Sequence, residues 1–203
     1  LKGKNIYPLL GKPLMAYTIE ALQECDFVDA IYVSSDDDEI LAVGEQYGAI
    51  SLKRPAALAD DKTPKIVAIR QAVEDPKVAA DGEVENVIVA QANSPELTAD
   101  QFKKGYDLMV QHRLWEIMSA DENGVQNAAF RIVKQHALYN TFLSAHCGFV
   151  VANNIDVHTI EDIHSLEQND AFVVPQGCTK QCLRLRRKHE GPYEPKRVLS
   201  GPK

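Results

Sequence analysis

The sequence predicts an α/β fold, a mostly parallel β-sheet with helices on both faces. Two observations point to it. Short runs rich in β-branched and apolar residues alternate with segments whose apolar residues recur at helical spacing. Most of the helical segments also open on a capping residue or a proline and several close on a turn residue, so their ends are marked. The chain has 203 residues, 45% of them hydrophobic and 25% charged, which is enough for one domain with a sizeable core.

The elements follow in order. Pro13 suits a first helical position, and Leu14, Tyr17, Ala21, Leu22 and Cys25 then repeat as one apolar face. Val28 to Ser35 reads as a strand ending in Ser34-Ser-Asp-Asp-Asp38. A helix over Asp37 to Tyr47 stops at Gly48, the glycine of a left-handed C-terminal turn. Ala49 to Lys53 is a short strand broken by Arg54-Pro55. Thr63-Pro64 caps a helix with Ile66, Val67, Ile69, Ala72 and Val73 on one side. Asp75 to Glu85 reads as a polar loop, and Asn86 to Gln91 as a buried strand ending in Gln91-Ala-Asn-Ser-Pro95. Thr98-Ala-Asp-Gln101 is a capping-box pattern that opens a helix to about His112. Strands follow at Leu114–Ser119, Ala128–Val133 and Cys147–Ala152, then a helix after Thr159 and a last strand over Ala171 to Pro175. Residues 1–176 make one domain. Residues 177–203 are a polar, basic tail without apolar period, expected to be loosely ordered.

Charge bounds the partners. The net charge of −7 hides an asymmetry: Thr179 to Lys203 carries eight Lys/Arg against two Glu, or +6, so the remainder carries −13. An acidic body argues against broad nucleic-acid binding. No apolar run approaches ~20 residues, so no membrane span is expected, and no signal-peptide pattern opens the sequence. Cys25 and Cys147 sit in apolar surroundings and read as buried thiols. Cys178 and Cys182 are four apart, half of a metal site with no second pair to complete it. A reducing cytoplasm fits this usage.

Three groups carry candidate chemistry. The first is the basic opening loop with Lys2, Lys4, Asn5 and Lys12 and two glycines. Glycine lets main-chain N–H groups converge and lysine adds charge, so the loop suits phosphate oxygens; a solvated basic terminus is the alternative. The second is Arg54 with Gln91, Asn93 and Ser94 at strand ends, where ligands bind in parallel sheets; turn chemistry also explains Asn93-Ser-Pro95. The third is Asp156 and His158, which alternate in an extended segment and so face one side, a pair able to hold a divalent ion. A hydrogen-bonded histidine is the alternative for His158. Asp162, three after Thr159, also reads as a capping carboxylate. Asp36-Asp-Asp38 is accounted for by acidic residues at a helix start.

The order of these motifs resembles the acylneuraminate cytidylyltransferase family, the CMP-sialic acid and CMP-KDO synthetases. Gly3-Lys-Asn-Ile6 with Gly11-Lys-Pro-Leu14 is similar to the end of that family's nucleotide loop. Val33-Ser-Ser-Asp36 resembles its V-S-T-D strand end, and Arg54-Pro55 with Leu58-Ala-Asp-Asp61 its R-P-x-x-L-A-x-D segment. Gln91-Ala-Asn-Ser-Pro95 resembles L-Q-P-T-S-P, and Ile155-Asp-Val-His-Thr-Ile-Glu-Asp162 resembles I-D-I-D-T-P-E-D. The five matches keep the family order.

The resemblance implies a Rossmann-like nucleotidyltransferase three-layer sandwich and a cytoplasmic enzyme. Such an enzyme couples CTP to a nonulosonic or related 2-keto sugar acid, giving a CMP-sugar and pyrophosphate. By position, Lys2, Lys4 and Asn5 would contact the nucleotide and its phosphates, and Arg54 would hold the cytidine end. Gln91 would face the sugar acid over a turn shaped by Asn93 and Ser94, and Asp156 would hold Mg²⁺. His158 replaces the family's second aspartate. Because Mg²⁺ prefers oxygen while imidazole suits Mn²⁺ or later metals, ion, sugar and water all stay open as its partner. A homodimer is implied, through a segment whose counterpart, Asp121–Tyr139, is short here. The family's first strand and early loop have no counterpart in these residues, which reads as a truncation. Pro64 stands where the family has a serine. Two alternatives remain: a nucleotidyltransferase for another nucleotide or sugar, and a sugar-nucleotide-binding protein without turnover.

Overall fold

The computed structural model describes residues 3–59, 62–141, 144–169 and 172. Lys2, Asp60-Asp61, the Ala171–Pro175 strand apart from Phe172, Cys178, Cys182 and the tail all lie outside the described residues.

The opening loop forms a short 3₁₀ turn at Lys4–Ile6, then a hairpin of β1 (Pro8–Leu9) and β2 (Lys12–Pro13). Its two-residue turn is Leu10-Gly11, both at positive φ (48° and 80°). Helix α1 (Leu14–Gln23) follows at once, with Pro13 as its N-cap. Strand β3 (Tyr32–Ser35) pairs in parallel with β4 (Ile50–Lys53) across α2 (Asp38–Gln46). The ladder begins at Tyr32 because its partner begins at Ile50, so it is shorter than the predicted Val28–Ser35 run. Gly48 closes the α2 turn at φ 85°, as its position predicted.

Helix α3 (Lys65–Val73) is followed by α4 (Pro76–Asp81), where the sequence reads as polar loop. The reason is local: Asp75 caps the Lys77 amide at 2.9 Å and Pro76 occupies the first helical turn. Strand β5 (Asn86–Ala90), helix α5 (Ala99–His112), strands β6 (Glu116–Ala120), β7 (Gln126–Lys134) and β8 (Cys147–Val151), and helix α6 (Ile160–Glu167) complete the described chain. Both predicted capping boxes form, at Thr98–Gln101 and Thr159–Asp162.

The α/β class holds, with a mixed, partly parallel sheet. β5-β7-β6-β8 form one four-stranded sheet in which β6 and β8 pair in parallel and β7 runs against the other three. The antiparallel pairing of β6 and β7 follows from their connection: the tight Asp121–Val125 turn, closed by Asp121 N–H to the Val125 carbonyl at 2.8 Å, leaves no room for a crossover. Ile132 and Val133 are neighbours on β7 and so point to opposite faces. Ile132 packs under α5 with Phe102, Ile117 and Phe130, while Val133 packs with Ala137, Leu138 and the α3 residues Ile66, Ile69 and Val73. Helices therefore cover both faces. Helix α1 supplies Ala21 and Leu22 to the cluster under α5, joined by Cys25 just beyond its end, and Met15 and Ile19 to a second cluster with Val33, Ile40 and Val43. Cys25 is buried as predicted; Cys147 is only half-buried, on β8 at the edge of the sheet formed by the described residues.

Candidate active site

The site assembles where strand ends meet the opening loop. Gly3 takes φ 65°, and its carbonyl receives the Ile6 amide at 3.0 Å, which curls Lys4 and Asn5 into one turn. Lys4 Nζ lies 3.3 Å from His158 Nδ1. An ammonium can only donate, so in this contact the imidazole nitrogen is the acceptor. Asn5 sits half-buried in the same turn. Lys12, by contrast, is committed to Glu20 at 2.6 Å and lies over the Tyr17 ring, so its charge serves α1. Tyr17 in turn donates to the Leu9 carbonyl at 2.7 Å, and burial pushes its phenol up to about 12.

The turn after β5 is tied in place from several sides. Gln91 N–H donates to the Ala129 carbonyl at 2.9 Å, and Thr18 Oγ1 donates to the Gln91 carbonyl at 3.1 Å. Asn93 and Ser94 are buried, Ser94 completely. The Asn93 carboxamide is spent on the Val157 carbonyl at 3.1 Å, and the Ser94 hydroxyl donates to Asp156 Oδ1. Asp156 is half-buried, and Val157 beside it is fully buried. Asp156 and the exposed His158 thus lie on either side of Val157, in a segment that forms no strand.

Asp162 does what a capping carboxylate does. Its Oδ2 accepts the His158 and Thr159 amides, each at 2.8 Å, and these donors hold its carboxyl below the usual aspartate range. Asp36 and Asp38 also have plain roles. Asp36 lies 3.6 Å from Arg54 Nη2 and Asp38 2.5 Å from Lys53, while Asp37 caps α2. Arg54 leaves the end of β4 beside Asp36, and its own amide donates to the Ser35 carbonyl at 2.9 Å. The structure therefore brings Lys4 to His158 and Ser94 to Asp156, and places Arg54 on the neighbouring parallel pair with Asp36.

A cavity of about 400 Å³ lies on another side of the loop, lined by Gly3, Ile6, Tyr7, Pro8, Asp37 and Glu39. Its two carboxylates make it a poor seat for a triphosphate. Three contributors carry no signal in the sequence. Glu96 accepts the Ile155 amide at 2.7 Å, Asn127 donates to the Ala152 carbonyl, and Thr18 holds Gln91. Asn127 sits in a bulge of β7, where Ala128 takes φ 58° and the register against β6 slips. Such bulges commonly flank active sites.

Among the described residues no group of three or more His, Cys, Asp or Glu is arranged to hold a metal. Mg²⁺ is usually bound by one or two carboxylates together with substrate phosphates, not by an all-protein cage. Asp156 offers one carboxylate with Oδ1 engaged by Ser94, leaving Oδ2 for such an ion.

The family model for cytidylyltransferases matches residues 1–141. The chain belongs to the cytidylyltransferase family. Among related cytidylyltransferases, the pseudaminic acid cytidylyltransferase of Campylobacter jejuni strain 81-176 is 33% identical over 121 residues, 59% of this chain and 51% of that protein. The N-acylneuraminate cytidylyltransferase of Escherichia coli strain RS218 is 40% identical over 73 residues, 36% of this chain and 17% of that protein. The chain thus spans about half the length, or less, of these curated relatives. The fold is shared with the CMP:2-keto-3-deoxy-manno-octonic acid synthetase solved with CTP, at TM-score 0.63 and 11% identity, over 82% of this chain and 91% of that one. No described helix of this cytidylyltransferase is long and apolar enough to cross a membrane.

Proposed function

We propose that this cytidylyltransferase joins CTP to a nonulosonic or related 2-keto sugar acid, giving a CMP-sugar and pyrophosphate. The observation that carries the reading is the meeting of the opening loop with the Asp156 segment, through Lys4 and His158 at 3.3 Å, beside the turn that buries Asn93 and Ser94. Displacement at phosphorus needs positioning and charge neutralisation more than covalent chemistry. In this reading Lys4 and Asn5 face the phosphates, with Lys2 ahead of them, and Lys4 exchanges its contact with His158 for a phosphate oxygen. Arg54 stands toward the cytidine end. Gln91 and His158 border the sugar acid, whose anomeric hydroxyl attacks the α-phosphorus while the bond to the bridging oxygen breaks. Asn93 and Ser94 hold the turn beneath. Mg²⁺, held by Asp156, would draw negative charge off the phosphate oxygens and the sugar carboxylate. A homodimer and a cytoplasmic location rest on the family resemblance.

The test is pyrophosphate release by the full-length protein with CTP and a panel of acidic sugars. Turnover with CTP and at least one 2-keto acid is expected, and Asp156→Asn should abolish it with the fold intact. Binding without turnover across the panel, or an Asp156→Asn variant working at the wild-type rate, overturns the assignment.

A further inference from the structure

We propose that Ser94 is a positioning residue for the divalent ion: its hydroxyl fixes one oxygen of Asp156 so that the other is presented to the ion. The inference rests on the reading of Asp156 given above. It starts from burial. Ser94 is fully buried, and its single hydroxyl proton is given to Asp156 Oδ1. The torsion that turns an aspartate carboxylate is broad and roughly two-fold, so a carboxylate left alone samples many orientations. A charge-assisted hydrogen bond from a buried donor removes that freedom.

The surrounding contacts show that this bond is separate from the holding of the backbone. Three consecutive residues are tied to the same turn. The Ile155 amide donates to Glu96 Oε2 at 2.7 Å, and the Val157 amide donates to the Asn93 carbonyl at 2.8 Å. The Asn93 carboxamide returns a bond to the Val157 carbonyl at 3.1 Å. These three contacts clasp the main chain on either side of Asp156. Among the described residues the Ser94 hydroxyl is the group that reaches the Asp156 carboxylate, so removing it frees the carboxylate and leaves the clasp standing. Partners that orient a ligating carboxylate typically account for about 10–100-fold in metal affinity.

The experiment measures Mn²⁺ binding to the full-length protein with CTP present, by the loss of the free-ion electron paramagnetic resonance signal. The Mg²⁺ dependence of turnover is followed in parallel. Ser94→Ala is expected to weaken Mn²⁺ about tenfold and to raise the half-saturating Mg²⁺ concentration by a similar factor, with kcat recovered at saturating Mg²⁺. A role in packing alone would lower thermal stability without moving the metal midpoint. Ser94→Cys keeps the side chain's shape with a somewhat larger atom and weakens the donor, so it must shift the midpoint in the same direction. A wild-type midpoint in either folded variant overturns the proposal. Asp156→Asn separates the two readings. If it loses Mn²⁺ while Ser94→Ala does not, the Ser94 role falls and the site stands. If Asp156→Asn binds Mn²⁺ as the wild type does, the site reading falls and takes the Ser94 role with it.

Discussion

Asn93 and Val157 hold each other by two hydrogen bonds that run in opposite directions, Val157 N–H to the Asn93 carbonyl at 2.8 Å and Asn93 Nδ2 to the Val157 carbonyl at 3.1 Å. Residues 64 apart in sequence are locked side by side, and both are buried. Asn93→Ala removes the second bond and leaves a buried carbonyl unpaired. Leaving a buried polar group unsatisfied costs about 1–3 kcal/mol. Urea denaturation should show that loss; an unchanged midpoint would mean the amide is not spent on Val157.

The β1–β2 hairpin carries a residue ill-suited to its place. Leu10 is 48% exposed and sits at φ 48°, followed by Gly11 at φ 80°. Two-residue hairpin turns with both φ positive favour Asn-Gly, because asparagine tolerates the left-handed region and a branched side chain does not. Leu10→Asn is therefore expected to raise the melting temperature by the equivalent of about 0.5–1 kcal/mol. A lower melting temperature would show that Leu10 makes contacts worth more than its backbone strain.

The N-terminus of α6 should be sensitive to acid through Asp162. Its carboxyl is held below the ordinary value by the His158 and Thr159 amides. The folded form therefore prefers the ionised carboxylate, and this stabilisation is present above the ordinary aspartate value of about 4 and fades as pH falls toward the lowered one. Asp162→Ala should cost about 1 kcal/mol at neutral pH, as for a lost cap. The gap in melting temperature from wild type should stay level down to about pH 5 and narrow below about pH 4. A gap that is independent of pH would refute this account.

Cys25 should resist alkylation. Burial pushes its thiol up to about 11, and its sulfur lies 3.4 Å from the Ala21 carbonyl. At pH 8 only about one thiol in a thousand is then ionised. Iodoacetamide labelling mapped by mass spectrometry should leave Cys25 unmodified in the folded protein and modify it in guanidinium. Labelling of Cys25 in the native state would contradict its burial.

Side-chain patterns were readable in the sequence, and main-chain contacts were not. Thr98 and Thr159 each announced a helix because a capping box needs two particular side chains three residues apart. The cap and first-turn proline at Asp75-Pro76 lie inside a polar stretch without apolar period, so α4 reads as loop in the sequence. Asp162 serves its helix, as its place three residues after Thr159 predicts. The attachment of Ile155 and Val157 to the Asn93–Glu96 turn uses amides and carbonyls, which every residue carries and no pattern reveals. The bulge at Asn127–Ala129 is likewise a matter of register. Lys12 looked like a phosphate ligand from its place in a basic loop, yet Glu20, two turns along α1, takes its charge.

Helix α1 sends Ala21 and Leu22 into one hydrophobic cluster and Met15 and Ile19 into the other. Neither cluster can then melt alone, because loosening either withdraws support from a helix the other also leans on. Heating the domain should give a single cooperative transition, with the opening loop and the Asp156 segment lost in the same step.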